Sequence, residues 1–296
     1  MCSPSVTSST VAMPCSRSSA AEWRALSRVS RDAVSSQRAS RPKSPRSASA
    51  AAALPFVASL GALHAREALA AGNTALIDSP YGPIAPVNDL TTGLPLLQLP
   101  PGFSYKSFGW TGDLMSNGKP CPAAHDGMGV VASRRVGRST EIVLVRNHEV
   151  GTGSDASHFG AAAVYDTGTS SGSFSNGGTT NLVFRDGNWV RIDANLGGTR
   201  TNCAGGITPW GSWLSCEEVG SDSLSNAGRK HGYVFECAAD PAQTTGQPIV
   251  GMGRFAHEAV AIDPASGIAY LTEDSSGKSG FYRYIPEVHP GHLGSL

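Results

Sequence analysis

Turn-forming residues divide most of this chain into segments too short for an amphipathic helix. The 296 residues include 35 glycines and 19 prolines, and between them lie runs of three to five β-branched, aromatic and other apolar residues. After residue 72, no helical period of apolar residues extends beyond a turn or two. Short strands separated by turns are typical of an all-β sandwich, barrel or propeller. The sequence therefore predicts an all-β fold.

Strands are predicted where these apolar runs occur. Two pairs of runs flank turn signals, Asp186-Gly187 in one case and Asp263-Pro264-Ala265-Ser266-Gly267 in the other. The prolines between Asn73 and Pro101 predict an extended lead-in. The predicted strand segments are Ile142–Val145, Leu182–Phe184, Trp189–Ile192, Trp210–Leu214, Tyr233–Phe235, Val260–Ile262, Ile268–Leu271 and Phe281–Ile285.

The first 71 residues differ in composition from the rest. Residues 1–46 are rich in serine and arginine and poor in acids, and an uncharged, alanine-rich run follows from Ser47 to Leu63. Ala68-Leu69-Ala70 has the small-residue pattern of a signal cleavage site. The run is shorter than the about 20 apolar residues of a membrane span. We expect residues 1–71 to be a targeting or disordered segment, followed by one folded domain over residues 72–296.

The expected destination is the periplasm or the cell exterior, with the lumen of an organelle such as a plastid as the alternative. An unprocessed low-complexity tail is the other interpretation of the same residues. Charge is unevenly distributed: eight basic and two acidic residues fall in residues 1–50, whereas the whole chain has zero formal net charge. The folded part is therefore acidic, which disfavours nucleic acid as a partner and suits hard cations.

A weak internal repeat distinguishes among the all-β architectures. Three segments close a predicted strand in a similar way, with an acidic residue near the end. They are Val145–Gly151, Leu214–Gly220 and Leu271–Ser275. The acids Glu149, Glu218 and Asp274 are 69 and 56 residues apart, longer than a minimal propeller blade of about 40–45 residues. Since a propeller gathers equivalent strand ends around one funnel and a sandwich scatters them, the repeat favours a β-propeller.

Acidic side chains and one cysteine are the candidate metal ligands. Successive side chains in a strand point to opposite faces, so the register of the repeat selects Glu149, Glu218 and Asp274. Glu258 is a fourth candidate, and Cys203 a fifth, because the adjacent glycines give its backbone freedom. Converging carboxylates repel unless a cation lies between them. Oxygen ligands suit calcium or magnesium, and a thiolate favours a transition metal such as iron.

Other outcomes remain open for the same residues. The acids could be solvated at a propeller rim, and Cys203 could form a disulfide with one of the other cysteines of the folded part. Those are Cys121, Cys216 and Cys237, and Cys216 is expected to be a buried small residue. Five neighbours of the ligand candidates are expected to hold the ligands or the substrate in place. They are Asn147, His148, His257, Glu217 and Glu273.

Nine motifs follow one another from about residue 85 to the end of the chain. They are Pro101–Tyr105, Phe108–Asp113, Ala124–Met128, Arg146–Glu149, Gly177–Asn181, Asn202–Glu218, Gly253–Ala259, Thr272–Asp274 and Gly280–Tyr284. In this order they resemble the motifs of the PhoX-type alkaline phosphatases. The resemblance implies a six-bladed propeller whose funnel holds Fe(III) and Ca²⁺, hydrolysis of phosphomonoesters, and export.

Carried onto this chain, the resemblance implies that Cys203 and Glu218 are metal ligands, followed by Glu258, Asp274 and Glu149. It assigns no protein nucleophile, because the metals would supply the reactive oxygen. The expected partner is a small-molecule phosphomonoester, with neither nucleic acid nor a membrane span, and the expected state is a monomer.

The family pattern continues beyond the Gly280–Tyr284 motif, whereas this chain ends at Leu296. We therefore expect an incomplete propeller. Two alternatives to an active enzyme follow: a catalytically inactive calcium-binding propeller module, and an incomplete fragment.

Overall fold

The computed structural model describes residues 79–168, 172–220 and 229–296, and one short strand near the N-terminus, β1 (Met13–Pro14). The predicted targeting segment, residues 1–71, otherwise lies outside the described residues, so this prediction stays open. The chain divides into two compact units, Ser18–Phe108 and Gly109–Leu296, the second of which includes Met1–Arg17. Among the described residues, no helix combines the length and the apolar character needed to cross a membrane.

The smaller unit contains a two-stranded antiparallel sheet of β2 (Ala85–Val87) and β3 (Leu97–Leu99). Asp89, which is buried, organises the loop after β2. Its carboxylate accepts hydrogen bonds from the backbone N–H and hydroxyl of Thr92 and from the backbone N–H of Ser107 at 2.7 Å. Side-chain acceptors of this kind replace the backbone pairing that an extended, proline-rich segment lacks.

The larger unit is built from antiparallel strands with one parallel pair. The strands are β4 (His125–Val136), β5 (Ser139–His148), β6 (Thr152–Gly153), β7 (Ala163–Val164), β8 (Phe174–Ser175), β9 (Gly177–Arg185), β10 (Asn188–Thr199), β11 (Asn202–Ile207), β12 (Trp213–Glu217), β13 (Val234–Cys237), β14 (His257–Ile262), β15 (Ala269–Glu273) and β16 (Gly280–Tyr284). The helices of the described residues are three 3-10 turns, at His158–Gly160, Pro241–Gln243 and Val250–Met252. The predicted all-β class is confirmed.

Three sheets follow one another along this unit. The first has the strand order β4-β5-β9-β10-β7, the second β11-β12-β13, and the third β14-β15-β16 with β1 added at its edge. Strands β6 and β8 form a separate two-stranded sheet. Successive sheets built from antiparallel neighbours are consistent with the propeller prediction, and the six-bladed propeller itself stays a prediction.

Two hydrophobic cores separate the three sheets. The first contains residues of the first two sheets, including Val145, Leu196 and Trp213. The second contains residues of the last two sheets, including Leu214 and Leu271. Burial of apolar side chains of this size stabilises a fold by about 1.5–3 kcal/mol each. The two cores therefore fix the relative positions of the strand ends within this unit.

Strand β12 is buried on both of its faces. Trp213 contributes to the first core, while Leu214 and Cys216 contribute to the second and have 0% exposure. Because side chains alternate along a strand, consecutive residues of β12 serve different cores. The expectation that Cys216 is a buried small residue is confirmed.

Two predicted turns match the structure. Asp186 and Gly187 both have positive φ values, 47° and 81°, as a two-residue hairpin turn requires. At the other turn, the Asp263 carboxylate accepts hydrogen bonds from the Ala265 N–H and the Ser266 hydroxyl. The first turn therefore depends on residues that adopt positive φ, and the second on a carboxylate that accepts hydrogen bonds within the turn.

The predicted strand Trp210–Leu214 is wrong at its start, because the strand begins at Trp213. Trp210 lies in a turn closed by the Gly211 N–H, which donates to the Thr208 carbonyl. The Trp210 indole N–H donates a hydrogen bond to the Glu236 carboxylate at 2.7 Å, so Trp210 stabilises the turn through its side chain. Each of the other predicted segments overlaps a strand.

A buried carboxylate in β5 gives a pH-dependent prediction. Glu141 is 2% exposed, and hydrogen bonds from Arg185 and then Arg134 hold its pKa below the ordinary 4.5. Since the folded pKa is lowered, the stabilisation is present above that ordinary value and is lost as the pH falls through the folded value. We expect Glu141→Gln to lower the free energy of unfolding by about 1 kcal/mol at pH 7 and by progressively less as the pH falls below 4.5, measured by urea unfolding. A loss that does not change with pH would contradict this assignment.

Candidate metal centre

The ends of three hairpins have the same local structure. In β4–β5, β11–β12 and β14–β15, one residue pair lies directly opposite across the strands, and an acidic residue follows it on the second strand. The opposed pairs are His125–His148, Asn202–Glu217 and His257–Glu273. The acids that follow are Glu149, Glu218 and Asp274, and their N–H groups donate to Ala124, Thr201 and Ala256 at 2.8, 2.9 and 3.0 Å. The sequence repeat is therefore a repeat of backbone structure.

Three of the predicted ligands form a compact group. One ligand atom from each of Cys203, Glu218 and Glu258 lies within 4.8 Å of the other two. Cys203 is 4% exposed, and both glutamates are half-buried. The Cys203 thiol donates to the His257 carbonyl at 3.3 Å, which places the thiol against the start of β14.

Burial and mutual repulsion both disfavour the charged forms of this group. Burial, and then the charges of Glu258, Glu149 and Asp274, raise the pKa of Glu218. Burial is also the main cause of the raised pKa of the Cys203 thiol, and Glu258 adds to it. A bound cation would offset these costs by favouring the deprotonated forms.

The donor chemistry fits a metal ion. A thiolate with two carboxylates combines a soft ligand with hard ligands, which suits iron better than calcium alone. Among the described residues, no lysine or arginine forms an ion pair with Cys203, Glu218 or Glu258. Within the described part of the chain, no such ion pair therefore compensates the negative charge of this group.

Two glycines allow the strands that carry these residues to approach closely. A Cβ on Gly127 would lie 2.8 Å from Ala204 Cα and 2.9 Å from the Cys203 carbonyl oxygen. A Cβ on Gly206 would lie 1.8 Å from the Val260 carbonyl oxygen. The sequence interpretation that the glycines beside Cys203 supply backbone freedom is therefore incomplete, because at Gly206 the structure requires the absence of a side chain.

Asn147 holds the strand that carries Cys203. Its side-chain amide donates to the carbonyls of Cys203 and Ala204 at 3.0 and 2.7 Å. Its carbonyl accepts from the Trp213 indole at 2.9 Å and from the Ser215 hydroxyl at 2.8 Å. With every polar atom of the side chain bonded and 0% exposure, Asn147 links β5 to both β11 and β12.

Replacing Asn147 with alanine is expected to destabilise the fold and to loosen the Cys203 strand. Buried acceptors and donors left without partners cost about 3 kcal/mol in total, and disturbing the support of a ligand weakens metal binding about tenfold or more. Asn181→Ala is a matched control, because Asn181 makes a similar pair of bonds to Ala238 and Ala239. The control should lose stability and retain metal affinity, so equal metal affinities of the two variants would contradict the role given to Asn147.

Glu217 faces away from the three-residue group. One carboxylate oxygen accepts from the Arg200 N–H and from His231 at 2.9 and 2.6 Å, and the other accepts from the Gly232 and Tyr233 N–H groups at 2.7 and 3.1 Å. The structure therefore places Glu217 in a buried network on the opposite side of β12.

The remaining predicted neighbours also lie on the far side of their strands. His148 bonds to the Ala123 carbonyl and the Thr180 hydroxyl, and burial lowers its pKa to about 3. His257 stacks on Phe255 with ring centroids 3.6 Å apart, and burial lowers its pKa to about 4. Both histidines are therefore neutral at physiological pH.

Glu273 accepts hydrogen bonds from the Gly280 N–H at 2.9 Å and the Tyr282 hydroxyl at 2.8 Å, and so joins β15 to β16. The four cysteines of the described residues are free thiols, which answers the question of their disulfide state.

One acidic residue near the group was not selected from the sequence. After burial, Asp126 is the main cause of the raised pKa of Glu149. In the sequence, Asp126 is only part of a glycine-rich motif, because it does not close a predicted strand as the acids of the repeat do. Its position relative to Glu149 depends on strand pairing, which a single segment does not reveal.

One protein family matches most of the chain. The family profile described as alkaline phosphatase PhoX matches residues 79–196 and 188–295. No curated protein is significantly similar to the chain. Among solved structures, Pseudomonas fluorescens PhoX in complex with vanadate, a transition state analogue, is similar with 18% sequence identity and a TM-score of 0.43. The similarity covers 63% of this chain and 48% of that protein, so the chain spans about half the length of its structural relative.

Proposed function

This chain belongs to the PhoX alkaline phosphatase family, and we propose that it is a metal-dependent hydrolase of small-molecule phosphomonoesters. The observation that carries the proposal is the group of Cys203, Glu218 and Glu258, whose ligand atoms lie within 4.8 Å of one another. The family match supports a phosphatase, and the donor set supports its dependence on metal.

We assign Cys203, Glu218 and Glu258 as ligands of Fe(III), because this set combines a thiolate with carboxylates. Glu149 and Asp274, which supply only oxygen, are assigned to Ca²⁺. Bound iron and calcium would act as Lewis acids that polarise the phosphoryl group. No side chain is assigned as a nucleophile.

The acidic residues determine how the chain meets its substrate. A phosphomonoester is an anion, and the carboxylates of the group would repel it at short range. Cations held by these carboxylates reverse the sign of the local potential, so substrate binding should require metal. Asn147 and Glu217 maintain the two strands that carry Cys203 and Glu218, from the face of β12 that bears Trp213 and Ser215.

The proposal is tested with the purified chain from residue 72. Iron and calcium are measured by mass spectrometry, and hydrolysis of p-nitrophenyl phosphate is followed at alkaline pH with and without added calcium. Iron incorporation together with calcium-dependent hydrolysis would support the proposal. Absence of both iron and hydrolysis would contradict it. Calcium binding without hydrolysis would instead support the inactive calcium-binding module.

We also propose that the protein is exported and acts as a monomer. Support for export comes from the serine- and arginine-rich residues 1–46 and the Ala68-Leu69-Ala70 pattern. N-terminal sequencing of the mature protein should begin close to residue 71, and an intact N-terminus would contradict this processing. The monomer is checked by light scattering during size-exclusion chromatography.

A further inference from the structure

Arg200 and Thr201 form a two-residue turn between β10 of the first sheet and β11 of the second. The Thr201 N–H donates to the carbonyl of Val150, the residue after Glu149, at 2.9 Å. The Thr201 carbonyl accepts from the Glu218 N–H, also at 2.9 Å. The two backbone groups of Thr201 therefore connect the chain beside one candidate ligand to the backbone of another.

Thr201 adopts a backbone conformation that is rare for its residue type. Its φ is 49°, in the left-handed region, where a β-branched residue is strained. Such a conformation persists only where the surrounding structure over-determines it. The neighbours pack closely, since a Cβ on Gly177 would lie 2.7 Å from the Val150 carbonyl oxygen and 2.8 Å from the Thr199 carbonyl oxygen. The turn is therefore held in place by contacts from outside its own two residues.

The carboxylate of Glu217 makes one of these contacts. Its Oε1 atom accepts hydrogen bonds from the Arg200 N–H at 2.9 Å and from His231 Nδ1 at 2.6 Å. On the other side of the imidazole ring, Nε2 lies 3.2 Å from Asp166 Oδ2. Glu217, His231 and Asp166 all have 0% exposure. The oxygen that bonds to the turn is thus itself held by a buried histidine.

The members of this network belong to separate elements. Asp166 follows β7, and its N–H donates to the Gly198 carbonyl of β10 at 3.1 Å. Glu217 is the last residue of β12, and His231 precedes β13. The ring of Tyr165 makes a T-shaped contact with the imidazole, with ring centroids 5.4 Å apart. Contacts at both nitrogens and on the ring therefore fix the orientation of His231.

We propose that His231 is a positioning residue for the candidate metal centre, which acts through Glu217 on the strained turn that holds the Glu218 N–H. This inference rests on the proposed function, because it requires that Glu218 binds metal. It gives a role to a histidine that lies outside the sequence motifs.

The test uses two variants of His231 that keep different contacts. The amide of asparagine reaches as far as Nδ1 and retains the bond to Glu217, whereas that of glutamine reaches as far as Nε2 and retains the contact with Asp166. Each variant loses one buried contact, so both should melt at similarly lowered temperatures without metal. Cobalt(II) is the probe, because the absorption band of a thiolate–cobalt bond reports on binding beside Glu218 without requiring activity.

We expect His231→Gln to weaken cobalt binding about tenfold or more and His231→Asn to weaken it much less. Adding Thr201→Gly to His231→Gln should recover much of the affinity, because glycine adopts a positive φ without strain and needs less support. Asp186→Gly is the matched control, since Asp186 also has a positive φ, 47°, but lies at the opposite end of β10. Adding it to His231→Gln should recover none of the affinity.

Equal cobalt affinities of His231→Asn and His231→Gln, with the wild type binding cobalt, would refute the positioning role and leave the proposed function intact. A recovery by Thr201→Gly no greater than that by the control would refute it as well. Absence of the cobalt band in the wild type would refute the metal centre itself, and the inference with it. If His231→Gln does not fold, Asp166→Ala replaces it, because this change removes the acceptor that orients the ring. Unchanged cobalt affinity of Asp166→Ala would then overturn the inference.

Discussion

Replacing Glu218 with glutamine is expected to abolish iron loading and to lower phosphomonoester hydrolysis about a hundredfold or more. Glu218 lies with Cys203 and Glu258 within 4.8 Å, and an amide is a much poorer ligand for iron than a carboxylate. Loss of the Lewis acid removes several kcal/mol of stabilisation from the transition state, which corresponds to this factor. Iron content by mass spectrometry and initial hydrolysis rates check the prediction.

The same substitution should not weaken the fold. The pKa of Glu218 is raised by burial and by neighbouring acids, so its charge is unfavourable in the metal-free protein. We expect the melting temperature of metal-free Glu218→Gln to equal or exceed that of the wild type. Glu287→Gln, a change of the same type at an exposed position after β16, is the control and should leave iron loading unchanged. Normal iron loading of Glu218→Gln would refute its assignment as a ligand.

Replacing the adjacent Glu217 with glutamine is expected to cause a large loss of stability, whereas Glu218→Gln should cause none. The Glu217 carboxylate is fully buried and accepts four hydrogen bonds, from the N–H groups of Arg200, Gly232 and Tyr233 and from His231. Glutamine can replace only one of the two oxygens, so donors on the other side lose their acceptor. Disrupting a buried charged network of this kind costs about 3–5 kcal/mol, which corresponds to a fall in melting temperature of about 10 °C.

Thermal unfolding of the metal-free protein checks this prediction without interference from bound ions. Glu236→Gln is a suitable comparison, because Glu236 is only half-buried and bonds mainly to turn residues such as Trp210. It should lose less stability than Glu217→Gln. If Glu217→Gln melts at the wild-type temperature, the four bonds do not contribute to the fold as proposed.

The contrast between these neighbours shows how far sequence reasoning extends. Alternation of side chains along a strand was sufficient to separate Glu218 from Glu217, because it depends only on local geometry. The repeat of acidic strand ends likewise required no tertiary information. Apolar runs and turn residues located eight of the sixteen strands of the described residues for the same reason.

The parts that sequence reasoning missed depend on contacts between segments. The position of Asp126 is set by an irregular pairing of β4 with β5, and the β5 residues near it in this pairing are 20 or more positions away in the sequence. Gly206 was interpreted as flexible, whereas its backbone is packed against the Val260 carbonyl of another sheet. Trp210 resembles a strand residue in isolation, and only its bond to Glu236 shows that it stabilises a turn.

The double burial of β12 has a consequence for how the protein would lose its metal. Trp213 belongs to one core and Leu214 to the next, and the same strand ends beside Glu218. Separating either pair of sheets must displace this strand and one ligand with it. Bound ions would therefore stabilise both interfaces between sheets. Removing the ions with a chelator should then speed thermal unfolding, and unfolding should speed the release of the ions. Resistance to heat and retention of metal would then rise or fall together in this domain.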